Sequence, residues 1–369
     1  MKLRAAKSLA SGRIARAALV VATLTLTACG GDDPQPSSSA GPAPGATTSR
    51  PSSASPARSP AGSTSPTPYS VTVRQDDPAG AESADGVLLR VVLQPGQTYR
   101  LIRESTAESA AMGMTQKQDA ANTYLFEVLE VDDQGVHRIK VTYDAIRMSI
   151  TGGPQRINYD STDPRRSRPS DPIALVMNPL IGQSFEMHLS DRGQILQVTG
   201  MPAIVQKVSA EAGQIGELLG PQLTGQMSDE AVASVMQSMI PVFPEHPVAP
   251  GGIWSTGFVL MESNMTLRYD TRYTLETAEN GQVTLGVETA FATPPGTPPV
   301  NIGPMTMAMD VAGSMSGWLV VDQVIGWPLL ASSDLAMQGS ASIEAEGLPE
   351  PMNSPLQMTG TTKVINPIE

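Results

Sequence analysis

Between Leu267 and Phe291 the chain alternates so strictly that only a half-buried sheet accommodates it. Leu267, Tyr269, Thr271, Tyr273 and Leu275 interleave with Arg268, Asp270, Arg272 and Glu276. Val283, Leu285, Val287 and Phe291 do the same against Gln282, Thr284 and Glu288. A period of two gives one buried and one wet face, the pattern of antiparallel strands. Between the runs lies AENGQ, Ala278 to Gln282. A two-residue Asn-Gly loop would put Leu275 opposite Gly286 and match an apolar face to a polar one. A three-residue loop, with Gly281 left-handed in a bulge, puts Leu275 opposite Leu285 and Tyr273 opposite Val287. The alternation predicts the bulged loop, because a one-residue slip flips every side chain.

The first half uses the same device. YLFEVLEVDDQGVHRIKVTYDAI runs as a strand, an acidic turn closed by Gly135, and a second strand with Ile139, Val141 and Tyr143 on one face. Upstream of each hairpin stands a Pro-Gly-x-x-aromatic signature, LQPGQTY (Leu93 to Tyr99) and VAPGGIW (Val248 to Trp254). Downstream, GQSFEMHLSDRGQILQVTG parallels GWLVVDQVIGWPLLASSDL. Matches in one order suggest an internal duplication, although one continuous sheet with similar hairpins would give the same pattern.

Between the halves the period changes. Ile204, Val205, Val208, Ala212, Ile215, Leu218 and Leu219 follow Pro202 at helical spacing and stop at Gly220-Pro221. Ser228 can cap a second helix, with Asp229 and Glu230 in its first turn and Val232, Val235, Met236, Met239 and Ile240 as its stripe. Both read as amphipathic helices lying across a sheet face.

The N-terminus sets the address. Lys2, Arg4, Lys7, Arg13 and Arg16 precede an apolar run from Ala17 to Leu26, too short to span a bilayer. Leu26-Thr27-Ala28-Cys29 resembles the lipobox of bacterial lipoproteins, in which the cysteine is acylated with diacylglycerol after cleavage. Cys29 is the single cysteine, so no intramolecular disulfide can staple the fold. Gly30 follows it, where an aspartate commonly signals inner-membrane retention, so an outer-membrane location is expected in a Gram-negative cell. From Gly30 to Pro68, 34 of 39 residues are Gly, Pro, Ser, Ala or Thr. Such a segment buries too little to offset its ordering entropy and reads as a tether about 35 Å long.

Five of the 24 basic residues precede Cys29, leaving 19 Lys/Arg against 36 Asp/Glu. That balance argues against nucleic acid as a partner. Arg165, Arg166 and Arg168 form the one basic cluster and read as a solvated turn. His137, His188 and His246 have no metal-ligand spacing, and no serine sits in a nucleophile-elbow pattern. The chain is therefore expected to be non-catalytic and without a cofactor. Methionine is the compositional oddity, 19 against five phenylalanines. Met305, Met307 and Met309 share one strand face, and Met112 and Met114 have the same relation. Three thioethers on a face could hold Cu(I), fill a core, or line an apolar groove.

LQPGQTYRL, VTYDAIRM, INYDS, GQSFEMHLSDRGQILQVTG and FPEHPVAPGGIW resemble the uncharacterised bacterial proteins grouped as domain of unknown function 6263. The resemblance implies an envelope-facing, β-rich protein and supplies no catalytic residues. The layout, a curled antiparallel sheet with helices, is also similar to that of periplasmic lipid and lipoprotein carriers, by analogy only.

The reading is mainly β with a helical insertion (α+β): two related, curved antiparallel units with two amphipathic helices between or across them. Residues 1–28 form a signal peptide and 29–84 the lipidated cysteine and tether. Residues 85–245 form the first unit, with helices about 202–219 and 228–240, and residues 246–369 the second. The expected function is binding or scaffolding at the envelope. Its expected partners are the membrane, through Cys29, and an apolar ligand or envelope protein. A carrier of an apolar ligand in the curved sheet and an envelope hydrolase are the alternatives. Met305, Met307 and Met309 are the candidate ligand contacts.

Overall fold

The computed structural model describes residues 72–75, 86–111, 113–152, 156–216, 220, 223–224, 227–262, 265–302, 305–345 and 350–367. The expected signal peptide, Cys29, Met112 and all of the expected tether except 72–75 lie outside them. Strands β1 (Thr72–Gln75), β2 (Thr98–Ala111), β3 (Met114–Val131), β4 (His137–Gly152), β5 (Ile157–Asp160), β6 (Ser184–Leu189) and β7 (Ile195–Thr199) come first. Helices α1 (Pro172–Met177), α2 (Met201–Glu211) and α3 (Asp229–Gln237) belong to the same half. Strands β8 (Ile253–Glu262), β9 (Met265–Glu279), β10 (Gln282–Ala292), β11 (Val300–Ile302), β12 (Met305–Asp322), β13 (Pro328–Ala345) and β14 (Met352–Ile365) follow.

All fourteen strands form one antiparallel sheet, with the path β1-β8-β9-β10-β12-β13-β14-β2-β3-β4-β6-β7 and with β5 on β4 and β11 on β12. The two halves meet where the last strand pairs with β2, Val364 opposite Arg103. Thr72–Gln75, which the sequence reading left inside the tether, instead extends the sheet beside β8. Its β-branched Thr72 and Val73 favour that pairing over coil.

Leu275 does lie opposite Leu285 and Tyr273 opposite Val287, but the loop is not the expected one. Glu279 pairs with Gln282, so only Asn280 and Gly281 turn, both at positive φ, 56° and 77°. Asparagine tolerates that conformation, which lets the tight primed turn form. The extra residue is Glu276, a bulge inside the strand. Gly281→Val should cost more than about 1 kcal/mol, since a β-branched residue is strained at positive φ. Gly286→Ala should cost less, because its methyl would meet only the movable Oε1 of Glu276, at 2.8 Å. Urea unfolding of the two variants checks this, and equal midpoints would contradict it.

The matched signatures carry matched geometry. Gly96 N–H donates to Val128 O (2.8 Å) and Val128 N–H to Gln97 O (3.0 Å), while Gly251 N–H donates to Leu275 O (2.7 Å) and Leu275 N–H to Gly252 O (2.9 Å). Bulges follow both carbonyl residues, at Leu129 and Glu276. A second pair of bulges falls at Leu196 in β7 and Leu329 in β13.

The sheet curls around one main core. Leu101, Phe126 and Val141 from one half share it with Trp254, Leu285 and Leu319 from the other. Trp327 is wholly buried at the seam, its ring centroid 5.3 Å from those of Phe126 and Tyr99. Residues 86–93 cross beneath, with Leu89, Val91 and Leu93 inward, Val91 N–H on Asp191 O and Val92 N–H on Ile325 O.

The helices differ from expectation in length and place. α2 ends at Glu211 rather than 219, because Gly213 takes positive φ directly after its cap. α3 ends at Gln237, with Met239 N–H and Ile240 N–H bonded back in tighter turns. Ser228 caps it as the sequence predicts, its Oγ accepting from Ala231 N–H at 3.2 Å. The Asp229 carboxylate accepts from Met201 N–H at 2.9 Å, tying the starts of α2 and α3 together, and burial pushes its pKa up. α3 packs against β7 and β8, so it closes the gap between the two ends of the sheet rather than lying across its face. α1, which the sequence reading missed, is capped by Asp171 and starts at Pro172. With its partly buried neighbours it lies over Met148, Ile150 and Ile157.

Candidate functional site

Strand register sorts the concave side chains into layers rising from the core. The lowest runs Leu275, Leu285, Leu319, Ala331, Val364, Arg103 and Asn122. Above it lie Trp254, Tyr273, Val287, Ser333, Thr362 and Ser105. The third layer holds Thr271, Thr289, Met315, Leu335 and Gln118, with the Thr271 and Thr289 hydroxyls 2.9 Å apart and buried. The fourth is Phe258, Tyr269, Phe291, Gly313, Met337 and Met358.

In that fourth layer the aromatic rings stack. Phe258 and Tyr269 are 5.3 Å apart at 12°, and Tyr269 and Phe291 are 5.3 Å apart at 24°. The Phe291 ring lies over Gly313, which has no side chain to displace it. Leu267, Phe291 and Val311 are buried in a second cluster, and Tyr269, Met309, Met315, Leu335, Met337 and Leu356 pack on it half-exposed. The described helices make their extensive sheet contacts with β5, β7 and β8, not with this face of β9 to β14.

Of the predicted ligand contacts, Met307 and Met309 are half-buried on this face. Met305 keeps their register, opposite Ala345, but its side chain lies outside the described residues. Cys29 lies outside them as well. The structure does not bring the histidines together: His188 points away from the core side and His246 is exposed. Arg166 is held by Asp163 at 2.9 Å and Asp160 at 3.7 Å, as a self-contained turn. Among the described residues no three His, Cys, Asp or Glu side chains form a metal cage.

His137 is structural. It is 2% exposed, its Nε2 accepts from Leu93 N–H at 3.2 Å, and its Nδ1 donates to Leu189 O at 3.3 Å. Burial lowers its pKa, outweighing the Leu189 carbonyl, Asp191 and Asp132. The unfolded chain takes up this proton near pH ~6.5, whereas the folded chain resists it to lower pH. Its contribution is therefore complete above that pH and is lost as pH falls through it. The melting temperature should drop between neutral and mildly acidic pH, and less so in His137→Gln. An unchanged pH slope in that variant would contradict this role.

Sequence reasoning missed Arg103, Ser105 and Gln237, polar residues inside apolar layers. For the first two the signal was available, because Leu101-x-Arg103-x-Ser105 continues a period-two face.

The model for a family of unknown function, DUF6263, matches residues 134–328, more than half of the chain. The chain belongs to that family. The match runs from the first hairpin turn to the start of β13, so this DUF6263 chain carries both matched bulge pairs within or beside it. No curated protein matches it. Among solved structures, lipovitellin, described with its lipid–protein interactions, is similar at 10% identity and TM-score 0.41, over 74% of this chain and 25% of its own. The DUF6263 chain thus spans about a quarter of the lipovitellin chain. An outer membrane channel from Pseudomonas putida F1 follows at 6% identity and TM-score 0.20, over 77% and 99%. OccK7 of Pseudomonas aeruginosa follows at 9% and 0.18, over 77% and 99%.

Proposed function

We propose that this chain is a non-catalytic ligand-binding protein of the cell envelope, held by acyl chains on Cys29, that carries an apolar molecule on its concave face. The observation that carries the reading is the half-exposed row of Tyr269, Met309, Met315, Leu335, Met337 and Leu356. Water-soluble surfaces seldom leave such a continuous apolar face without an occupant. Methionine suits it, since an unbranched, polarizable side chain adapts to ligands of different shape. The neighbours of Met309 are Leu267, Phe291 and Val311, a setting that favours hydrocarbon over Cu(I).

The lipobox at Leu26 to Cys29 supports an extracytoplasmic, membrane-anchored location, the outer membrane where the cell has one. The duplicated turns and bulges support two related β-units fused through β14 and β2. In this reading the closed core end is the scaffold and the open end is the site.

Organic extracts of the acyl-free chain starting at Gly30, analysed by mass spectrometry, test the proposal. A near-stoichiometric apolar molecule is expected, changed in amount or kind when Met305, Met307 and Met309 are all replaced by Leu. That triple variant should melt within about 1.5 kcal/mol of wild type, since the two side chains are close in volume. A folded chain with an empty extract would sink the proposal, as would tight Cu(I) binding that vanishes in the triple variant.

A further inference from the structure

We propose that the open end of the sheet faces the lipid surface, with the strand tips around it resting apolar side chains in the bilayer interface. The proposal rests on the acyl anchor at Cys29 and adds how the sheet stands on it. Strand direction carries the first argument. β1 runs antiparallel to β8, with Gln75 opposite Trp254 and Thr72 opposite Gly257. Followed toward its N-terminus, β1 therefore climbs from the second concave layer toward the fourth, which holds Phe258. Gly257 lies ~17 Å below Glu262, the last residue of β8. Residues 30–71 join this point to Cys29, and a tether of that length spans about 35 Å. The anchor thus reaches the open end without stretching. To set the closed end on the bilayer, the same segment would have to double back along strands as long as β12, 18 residues and ~60 Å.

The second argument, independent of the tether, is the make-up of the rim. β3, β9, β12 and β14 all descend from the open end, and each begins with methionine: Met114, Met265, Met305 and Met352. Their register partners are Ala111, Glu262, Ala345 and Ile343, which end or nearly end the strands that rise to that rim. Met114 and Met352 are exposed, and so is Val259 near the β8–β9 tip. At a tip these side chains have no core to fill, whereas a flexible thioether suits a fluid acyl interior. Glu262, Glu344 and Glu350 stand among them, so the contact is made by shallow apolar burial and needs no anionic lipid. In this orientation the Met-lined concave face opens onto acyl chains, and an apolar molecule passes between bilayer and sheet without crossing water.

The test uses the full acylated chain in phosphatidylcholine vesicles. Cys29 is the single cysteine and acylation consumes its thiol. Met114→Cys, Val259→Cys, Met352→Cys and, in the β12–β13 turn at the closed end, Val324→Cys therefore each offer one site for an environment-sensitive dye. All four positions are exposed, and a melting curve confirms that each variant is folded. Lipids spin-labelled near the headgroup should quench the dye at the three tip positions and leave it bright in Val324→Cys, with no dependence on salt. Quenching in Val324→Cys as strong as at the tips, or quenching in none of the four, would overturn the orientation and leave the anchor standing. Wild type that takes the dye at Cys29 itself has a free thiol there, which would overturn the anchor and this orientation with it.

Discussion

Gln237→Leu is expected to destabilise the protein by about 3–6 kcal/mol, although the two side chains are similar in size. Gln237 is 5% exposed at the end of α3, and its amide serves three backbone groups. Nε2 donates to Gly193 O at 3.0 Å and to Ile240 O at 2.9 Å, while Oε1 accepts from Ile195 N–H at 3.0 Å. Leucine would bury all three without partners, at about 1–3 kcal/mol each. Gly193 has no slack to reorganise: its φ is 78°, and a methyl there would collide with the Pro241 carbonyl. The urea midpoint should fall sharply with little change in slope. A loss below about 1 kcal/mol would mean that water replaces the amide.

Trp254→Ala should cost about 3–5 kcal/mol, the usual range for emptying a large aromatic site. Trp254 is wholly buried in β8, stacked on Tyr273 at 5.2 Å and 16°, and its Nε1 donates to Val242 O at 2.8 Å. The Tyr273 hydroxyl shares that carbonyl and Thr256, and burial pushes its pKa up to about 12. Trp254 thus fastens the segment after α3 to the sheet, opposite the place where Phe243 N–H bonds Arg192 O in the β6–β7 turn (2.8 Å). Trp254→Phe keeps most of the stack but loses the hydrogen bond and leaves part of the indole's volume empty, so it should cost about 1–3 kcal/mol, less than Ala. Equal losses for Ala and Phe in urea unfolding would show that the hydrogen bond, and not the packing, carries the stability.

The strand faces were legible because period two is a local signal, and the pairing of Leu275 with Leu285 followed from it alone. The bulge at Glu276 was not, since moving an extra residue from the turn into the strand leaves the alternation almost unchanged. Ser228 announced its cap by residue type, whereas the end of α2 depended on the conformation of Gly213. One sheet and two sheets differ only in whether β14 pairs with β2, a contact between residues 245 to 263 apart in the chain. The Met-rich face could be named from its spacing. Arg103 belongs to a strand far from it in sequence, and only the β14–β2 seam brings the two together.

Methionine methyl groups give the most direct view of the central claim, that the concave face holds an apolar ligand. In a spectrum of the chain carrying 13C-methyl methionine, Met315 and Met337 report the half-exposed concave face and Met358 the buried layer beside it. Met187 and Met236 report the core, and Met114 and Met352 are exposed. Titration with hexadecanoic acid should shift Met315, Met337 and Met358 together and saturate, leaving Met187 and Met236 in place. Shifts confined to Met114 and Met352, or no saturable shift in any concave methionine of a folded sample, would contradict the account.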